Sequence, residues 1–493
     1  MAAISKADDR RYVGTKETIS YVLFDASKGF SIDQWKSRFF LDVVKIDLTL
    51  NAIASLITQI WDIVDDSFAG ILVDKTQTRW GKFRPYILIF AIPGTILTAL
   101  YWLTPYIFGP NPFEFSKCIY WYGLGMITEL MTTFRNFAET GYISSISPNP
   151  ADKMRLFTLA EVISSLWENI PEFLMGLLID VANTGKTAIT MKSAYLIMGL
   201  LCAVQAGVFA FIYGTIAKER IMQSIKKPDL TESWRTIKNN KPMLLMTVSD
   251  FMTAFKIDTG VTNYYVDVLG SAFLKNLVAL PGSPISFFSY LYIGWVQRKF
   301  STKALWIFGE HEKDVTSILV YFFGIIGGKG AKGNYLKKWV MFGAFVAKDF
   351  IYKSTLSINK IIPRMMQTEV LDYCEWKNGF RTEGATLAVK EIVKKIAALF
   401  TTPLNSLVLK SIGYSLTAGH GQQSASTKYY LFTMCTLAPG LTGLLGIIPK
   451  LFYNISPKKR EEMYAELAVR RAAKHNAFSS ISLEDESNIN DLI

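Results

Sequence analysis

A chain of 493 residues, half of them hydrophobic and 14% aromatic, with a formal charge of +12, is long enough for several soluble domains joined by polar linkers. Instead, apolar segments of about 20 residues recur along most of it, each able to cross a hydrocarbon layer ~30 Å thick, as in Tyr86 to Tyr106, Ala194 to Thr215 and Tyr429 to Leu451. The composition reads as a polytopic all-α membrane protein and excludes a disulfide framework or zinc site, because Cys118, Cys202, Cys374 and Cys435 form no CxxC pair and the three histidines form no cluster.

The N-terminal segment 1–17, "MAAISKADDRRYVGTKE", is polar and lacks the apolar core of a cleaved signal. Twelve spans follow, near 18–43, 47–74, 84–107, 116–146, 155–182, 191–216, 242–270, 279–299, 304–327, 338–366, 384–414 and 427–453. The first carries Asp25, Lys28, Asp33, Lys36, Arg38 and Asp42, and the ninth opens on "GEHEKD", so both fail on hydropathy. The polar loop 217–241 divides the spans into a six-helix bundle over 18–216 and another over 242–453. Basic connections follow spans 2, 4, 6, 8 and 10 ("DKTQTRWGKFR", "NPADKMR", the central loop, "QRKFSTK" and "CEWKNGFR"), which places them and both termini in the cytoplasm and accounts for the positive charge without nucleic acid. The tail 454–493, from "PKKREEM" to "SLEDESNINDLI", is too polar to span and reads as a cytoplasmic helix that frays into disorder. "TRWGKFRPYIL" after span 2 has a weak echo in "RKFSTKALWIF" after span 8. Repeated halves around a central loop are expected of a transporter whose solute binds near mid-membrane between two rocking bundles.

Span 2 ends on "WDIVDDSFAGILVDKTQTRWGKFRP". Positions i, i+3 and i+4 share a helix face, so Asp62, Asp65 and Asp66 point the same way. Each carboxylate near the bilayer costs about 2.5–3.5 kcal/mol, and three add mutual repulsion. A bound cation, a proton, or nearby Lys or Arg must offset this. A salt-bridged packing cluster is the plain alternative.

The segment D-x-x-x-D followed by G-x-x-x-D-x-T-x-x-R-W-G-K-F-R-P, with "DYCEWKNGFRTEG" before span 11, resembles the glycoside–pentoside–hexuronide:cation symporter family of the major facilitator superfamily, over roughly residues 18 to 453. The resemblance implies the major facilitator fold, twelve transmembrane helices in two six-helix bundles, and supports counting the first and ninth segments as spans. It implies no cofactor beyond a coupling ion, Na⁺ or H⁺, carried by Asp62 and Asp66, with Asp65 adding a charge where the family example has Asn. Asn136 falls where a hydroxyl ligand is expected. Lys395, with a one-residue ambiguity toward Lys394, aligns with a lysine near both cation and sugar. A lysine facing the aspartates would compete with the cation for them. Gly70, Asp74 and Arg79, with Gly81, Arg84, Asp372 and Arg381 in the two motifs, are implied to form a cytoplasmic gate.

The solute pocket departs from the family. Its first sugar-binding Asp aligns with Gly29, unless a small gap brings Asp25 there, and its second with Glu139. The stacking Trp is absent, leaving Tyr142. Span 5 lacks the expected Arg and offers Glu161, Glu168 and Glu172, and Lys360 stands in place of an aromatic. Charges within spans face the bundle interior or a wet cavity, and here they include Glu129, Arg135, Asp250, Lys256, Asp258, Lys348, Asp349, Lys353, Lys390 and Glu391. Each alone reads more readily as an ion-pair partner or snorkelling end-of-span residue. Together with Lys28, Lys390, Lys394 and Lys395 they suit an anionic or zwitterionic sugar-like solute. The expected function is cation-coupled symport by a monomer in the plasma membrane, its partners being a small solute, a cation and the bilayer. A lysolipid-type amphiphile carrier and a non-transporting sensor are the alternatives. No P-loop, HExxH or nucleophile elbow suggests an enzyme.

Overall fold

The computed structural model describes residues 12–76, 78, 80–147, 150–220, 240–330, 332–378, 383–456 and 458–470. Among these there is no β-strand, and helix follows helix. The first half holds α1 (Thr15–Gly29), the short helical pieces Asp33–Trp35, Lys36–Phe39 and Phe40–Val44, then α2 (Leu48–Lys75), α3 (Arg84–Ile107), α4 (Phe115–Ser145), α5 (Pro150–Trp167), α6 (Asn169–Asn183) and α7 (Met191–Ile216). The second holds α8 (Lys241–Ala254), α9 (Val261–Asp267), α10 (Phe273–Ala279), α11 (Ser283–Lys299), α12 (Thr302–Gly324), α13 (Lys338–Ser354), α14 (Leu356–Asn378), α15 (Glu383–Ser411), α16 (Ala425–Leu444) and α17 (Ile447–Leu451). A last helix, α18, covers 458–470.

Local chemistry sets these boundaries. The Asp47 carboxylate accepts from the Thr49 and Leu50 amides at 2.8 and 3.3 Å, starting α2. Thr190 and Ser193 form a capping box on α7, while Ser301 and Ser424 cap α12 and α16. Among the described residues six segments are long and apolar enough to cross a membrane by length and composition alone: Arg84–Ile107, Arg155–Asn183, Met191–Ile216, Phe273–Lys299, Ile392–Ser411 and Ala425–Leu451. Hydropathy and length thus miss spans 1, 2, 4, 7, 9 and 10, more than the two expected, because these carry charges or are broken into short helices, as in span 7. Large apolar side chains such as Ile89, Ile92 and Ile96 on α3 and Val204, Val208 and Phe211 on α7 are exposed, as for helices immersed in lipid rather than water.

Among the described residues six spans are broken: the first after Gly29, the fifth at Glu168, the seventh between Ala254 and Val261, the eighth before Ser283, the tenth at Thr355 and the twelfth between Leu444 and Ile447. Broken helix within a membrane is tolerated where protein or a wet cavity satisfies the freed backbone groups. The breaks in spans 1 and 5 touch: a Cβ on Gly29 would lie 2.9 Å from Glu168 Cβ, so only glycine allows that approach. Span 10 runs on through α14, so "CEWKN", expected in a loop, is helical to Asn378.

Helices pack mainly within their own half, α3 on α7, α2 on α4 and α1 on α5 and α7 in the first, α12 on α16, α13 and α14 in the second. The principal seams between halves are α2 with α15 and α6 with α10. The buried apolar core follows suit. At the end where α2 begins and α15 finishes, one cluster runs across both halves, joining Phe39, Trp102 and Tyr195 to Tyr264, Tyr335 and Phe432. At the other end it splits in two, around Phe24, Tyr142 and Tyr213 in the first half and Met243, Trp306 and Met366 in the second. One end of the molecule is closed and the other divided.

The expected boundaries at 17 and 454 soften. Val13 is buried, its amide donating to Asp152 at 2.9 Å, and α18 buries Met463 and Leu467 in the second-half cluster. The rest of the tail, from residue 471, lies outside the described residues, as does 221–239 of the central loop.

Candidate functional site

The i, i+3, i+4 spacing on α2 brings a carboxylate oxygen of Asp62, Asp65 and Asp66 within 4.8 Å of one another. From the other half, Lys395 on α15 sets its ammonium 3.0 Å from Asp62 Oδ1 and 2.5 Å from Asp66 Oδ2, and also donates to the Asp62 carbonyl at 2.9 Å. Lys395, not the exposed Lys394, makes these contacts. Asp65 is 1% exposed. One of its oxygens accepts from Thr133 Oγ1 at 3.3 Å, and the other, Oδ1, is buried with no partner. An unpartnered buried carboxylate oxygen is costly unless a proton or cation satisfies it. Thr133 lies on α4 three residues before Asn136, on the same helix face, and it is the hydroxyl that reaches the cluster.

A second cluster joins spans 1, 4 and 5. Lys28 lies 2.6 Å from Asp25 Oδ1 and pairs with the buried Glu139, and Ser164 donates to Asp25 Oδ2 at 2.9 Å. Beside it opens a cavity of about 310 Å³ lined by Lys28, Asp33, Lys36, Glu129, Thr132 and Arg135, with the rings of Tyr101 and Trp102 in its wall. Three expected solute ligands, Asp25, Lys28 and Glu139, are therefore together. Tyr142 is not among them. It is fully buried at the divided end, where its hydroxyl accepts from the Lys218 amide at 2.8 Å and its ring packs edge-on to Tyr213. Its position near the end of α4 sets it against the chain after α7, away from the cavity. Lys360 is exposed on α14 and makes no ion pair among the described residues. The side chain of Lys390 lies outside the described residues.

Gly81 and Arg84 of the basic motif after α2 make contacts within the first half. Gly81 has φ +108°, and a Cβ there would sit 2.4 Å from Glu219 Oε1. The Glu219 carboxylate accepts from the Lys82, Phe83 and Arg84 amides at 2.8–2.9 Å, satisfying the start of α3. Arg84 donates to the carbonyls of Gly214 and Thr215 at 2.6 and 2.7 Å, closing the end of α7. Asp372 is buried and accepts from Tyr464 of α18 at 3.2 Å. These contacts of Gly81, Arg84 and Asp372 join them to helices of their own half. Arg79, Arg381 and the Asp74 side chain lie outside the described residues, and Gly70 lies within α2.

Sequence reasoning missed the network that closes the joined end. Arg38, 1% exposed, lies 2.6 Å from Asp267 Oδ2 in the other half, donates to Asn263 at 3.1 Å and pairs with Asp42. Tyr414 donates to Asp267 at 3.0 Å, and His420 Nε2 stands 3.2 Å from Asp42. On one flank Lys275 meets Glu172 at 2.8 Å, and Asp180 accepts from the Ala272 amide at 2.6 Å. On the other Asn51 donates to Ser406 at 2.6 Å. In the ninth span Glu310, His311 and Asp314 find partners, whereas both carboxylate oxygens of the buried Glu312 are without one among the described residues. Lys256 lies 2.8 Å from Asp314, whose other oxygen is 3.0 Å from His311 Nδ1, while Lys450 joins His311 Nε2 at 2.7 Å and pairs with Glu310.

Residues 19–457 match the family model described as MFS/sugar transport protein. The chain is 25% identical over 478 residues to the isoprimeverose transporter of Lactiplantibacillus pentosus, covering 94% of each. It is 22% identical over 478 residues to the glucuronide carrier protein homolog of Escherichia coli, covering 94% of this chain and 98% of that one. Its fold is similar to the inward-open xylose transporter XylE of Escherichia coli, with a TM-score of 0.56 at 13% identity over 91% of this chain and 98% of that one.

Proposed function

Because this chain belongs to the MFS/sugar transport protein family, of the glycoside–pentoside–hexuronide:cation symporter type, we propose that it carries a sugar-like solute across the membrane together with Na⁺ or H⁺. It is a multi-pass membrane transporter and not an enzyme. The observation that carries cation coupling is Lys395, which reaches from the second half to hold Asp62 and Asp66 in the first. A cation entering this face displaces the ammonium from its two carboxylates and loosens the seam between α2 and α15. Binding thus acts on the equilibrium between the two arrangements of the halves, as coupling requires. Asp65, with its buried unpartnered oxygen, supplies a further ligand.

The basic loops support a cytoplasmic location for the divided end. Both termini then lie inside, the joined end faces out, and the arrangement is inward-open. The solute occupies the first-half cavity beside Asp25, Lys28 and Glu139. Its charged lining suits a polar solute rather than an amphiphile's tail.

Melting of the purified protein in NaCl, LiCl and KCl at several pH values tests the cation assignment. An ion at 100 times its dissociation constant stabilises the folded state by about 2.7 kcal/mol. A rise specific to Na⁺ or Li⁺, or a pH-dependent melt, is expected in the wild type and lost in Asp66→Asn. A melt insensitive to alkali ions, pH and this substitution would return the aspartates to a packing role.

A further inference from the structure

Resting on the transport reading, we propose that Arg135 is the residue with which this carrier recognises an anionic group, a carboxylate or sulfonate, on its solute. The cations lining the cavity are matched with one exception. Lys28 is held by Asp25 and Glu139. Lys36 lies 2.8 Å from Asp33 and sits over the Tyr101 ring at 5.5 Å. Arg135 makes no hydrogen bond or ion pair among the described residues, and its Nε is shut off from solvent without a partner. Glu139, one turn along α4, and Asp33, in the cavity wall, are already engaged by the two lysines.

A guanidinium in a transmembrane helix is costly and is ordinarily paired. Left free beside a cavity, it offers a planar fork that matches a carboxylate or sulfonate with two parallel hydrogen bonds, which a lysine cannot do. The rest of the wall suits what such an anion would be attached to. Glu129, also without an ion pair or hydrogen bond among the described residues, can accept from ring hydroxyls, as can Thr132 one turn before Arg135. Tyr101 and Trp102 supply an aromatic wall for the face of a sugar. About 310 Å³ is at the small end of ligand sites and suits one ring with its acid group. Glu129 lies one turn before Thr133, whose hydroxyl meets Asp65 at 3.3 Å, which sets the solute beside the aspartate face.

The test compares methyl β-D-glucuronide with methyl β-D-glucoside, reading tryptophan fluorescence and the melting temperature of purified full-length protein as wild type, Arg135→Gln and Arg135→Lys. The wild type is expected to bind the glucuronide more tightly. Arg135→Gln should lose about 10–100-fold on the glucuronide, the worth of a charged hydrogen-bond pair, and only a few-fold on the glucoside, with Arg135→Lys in between. An unaltered cation response in each variant shows that the fold and aspartate face are intact. Equal wild-type affinity for the two sugars, or equal weakening of both in Arg135→Gln, would overturn the assignment and leave the carrier reading standing. If the wild type binds neither sugar nor any uronide or glycoside of a wider panel, the carrier reading falls and the assignment with it.

Discussion

Asp267→Asn should open the joined end. The substitution keeps the shape of the side chain and removes its charge, while Arg38 retains Asp42 as its counter-ion, so no buried charge is left bare. Two hydrogen bonds from Arg38 to Asp267, at 2.6 and 3.2 Å, cross between the halves. A hydrogen bond to a charged group is worth about 1.5–3 kcal/mol and a neutral one about 0.5–1.5. Neutralising the acceptor therefore removes roughly 2–3 kcal/mol from the closed arrangement, a shift of about 30- to 150-fold. That brings a wild-type ratio as high as about 100 to 1 near parity. Spin labels at the exposed Asn111 and Gln422, one on each half at the joined end, report the separation by double electron–electron resonance, and the native cysteines are all buried. A new population at longer distance is expected. A distribution identical to that of wild type would show that the Arg38–Asp267 pair does not hold the halves together.

Three other substitutions probe separate joints. Lys395→Gln frees Asp62 and Asp66 from their competitor, so apparent cation affinity should rise about tenfold or more, the worth of one charged contact, while gradient-driven accumulation is lost and solute counterflow survives; equal or weaker cation binding would contradict competition. Gly81→Ala forces a side chain into the left-handed region and onto the Glu219 carboxylate, costing roughly 2–4 kcal/mol; an unchanged melting curve would refute that geometry. Arg460→Ala strips the buried Glu369 of its ion-pair partner. Because Arg460 is 30% exposed, the loss should fall below the 3–5 kcal/mol of a fully buried pair, at about 2 kcal/mol in thermal unfolding. A melt equal to wild type would mean that the Arg460–Glu369 pair adds nothing to stability.

The aspartate face was legible because three carboxylates at helical spacing need no tertiary knowledge to share a side of α2. The choice of Lys395 over Lys394 was not, since it depends on how α15 is rotated against α2. Span 1 looked unsuited to a membrane for a reason that only packing reveals: Lys28, Lys36 and Arg38 each meet a carboxylate, so the charges that spoil its hydropathy are compensated in pairs. Arg38 and Asp267 lie 229 residues apart, and no local pattern announces such a pair. Tyr142 illustrates the reverse error. It sits one turn beyond Glu139, but near the end of α4, and a rise of about 4.5 Å along the helix carries its side chain from the cavity into the packing against Tyr213 and Lys218. Gly81 and Arg84 belong to a motif whose likeness suggested a gate, yet Glu219 and the end of α7, which give them their contacts here, lie too far along the chain to be read with it.

The most direct measurement is solute accumulation in proteoliposomes under an imposed inward Na⁺ or H⁺ gradient, comparing wild type with Asp66→Asn on a panel of glycosides and uronides. Cation-coupled carriage at the aspartate face predicts uphill accumulation of a solute in the wild type with one of the two gradients, and in the mutant only equilibration down the solute's own gradient. Uphill accumulation that persists in Asp66→Asn would contradict it.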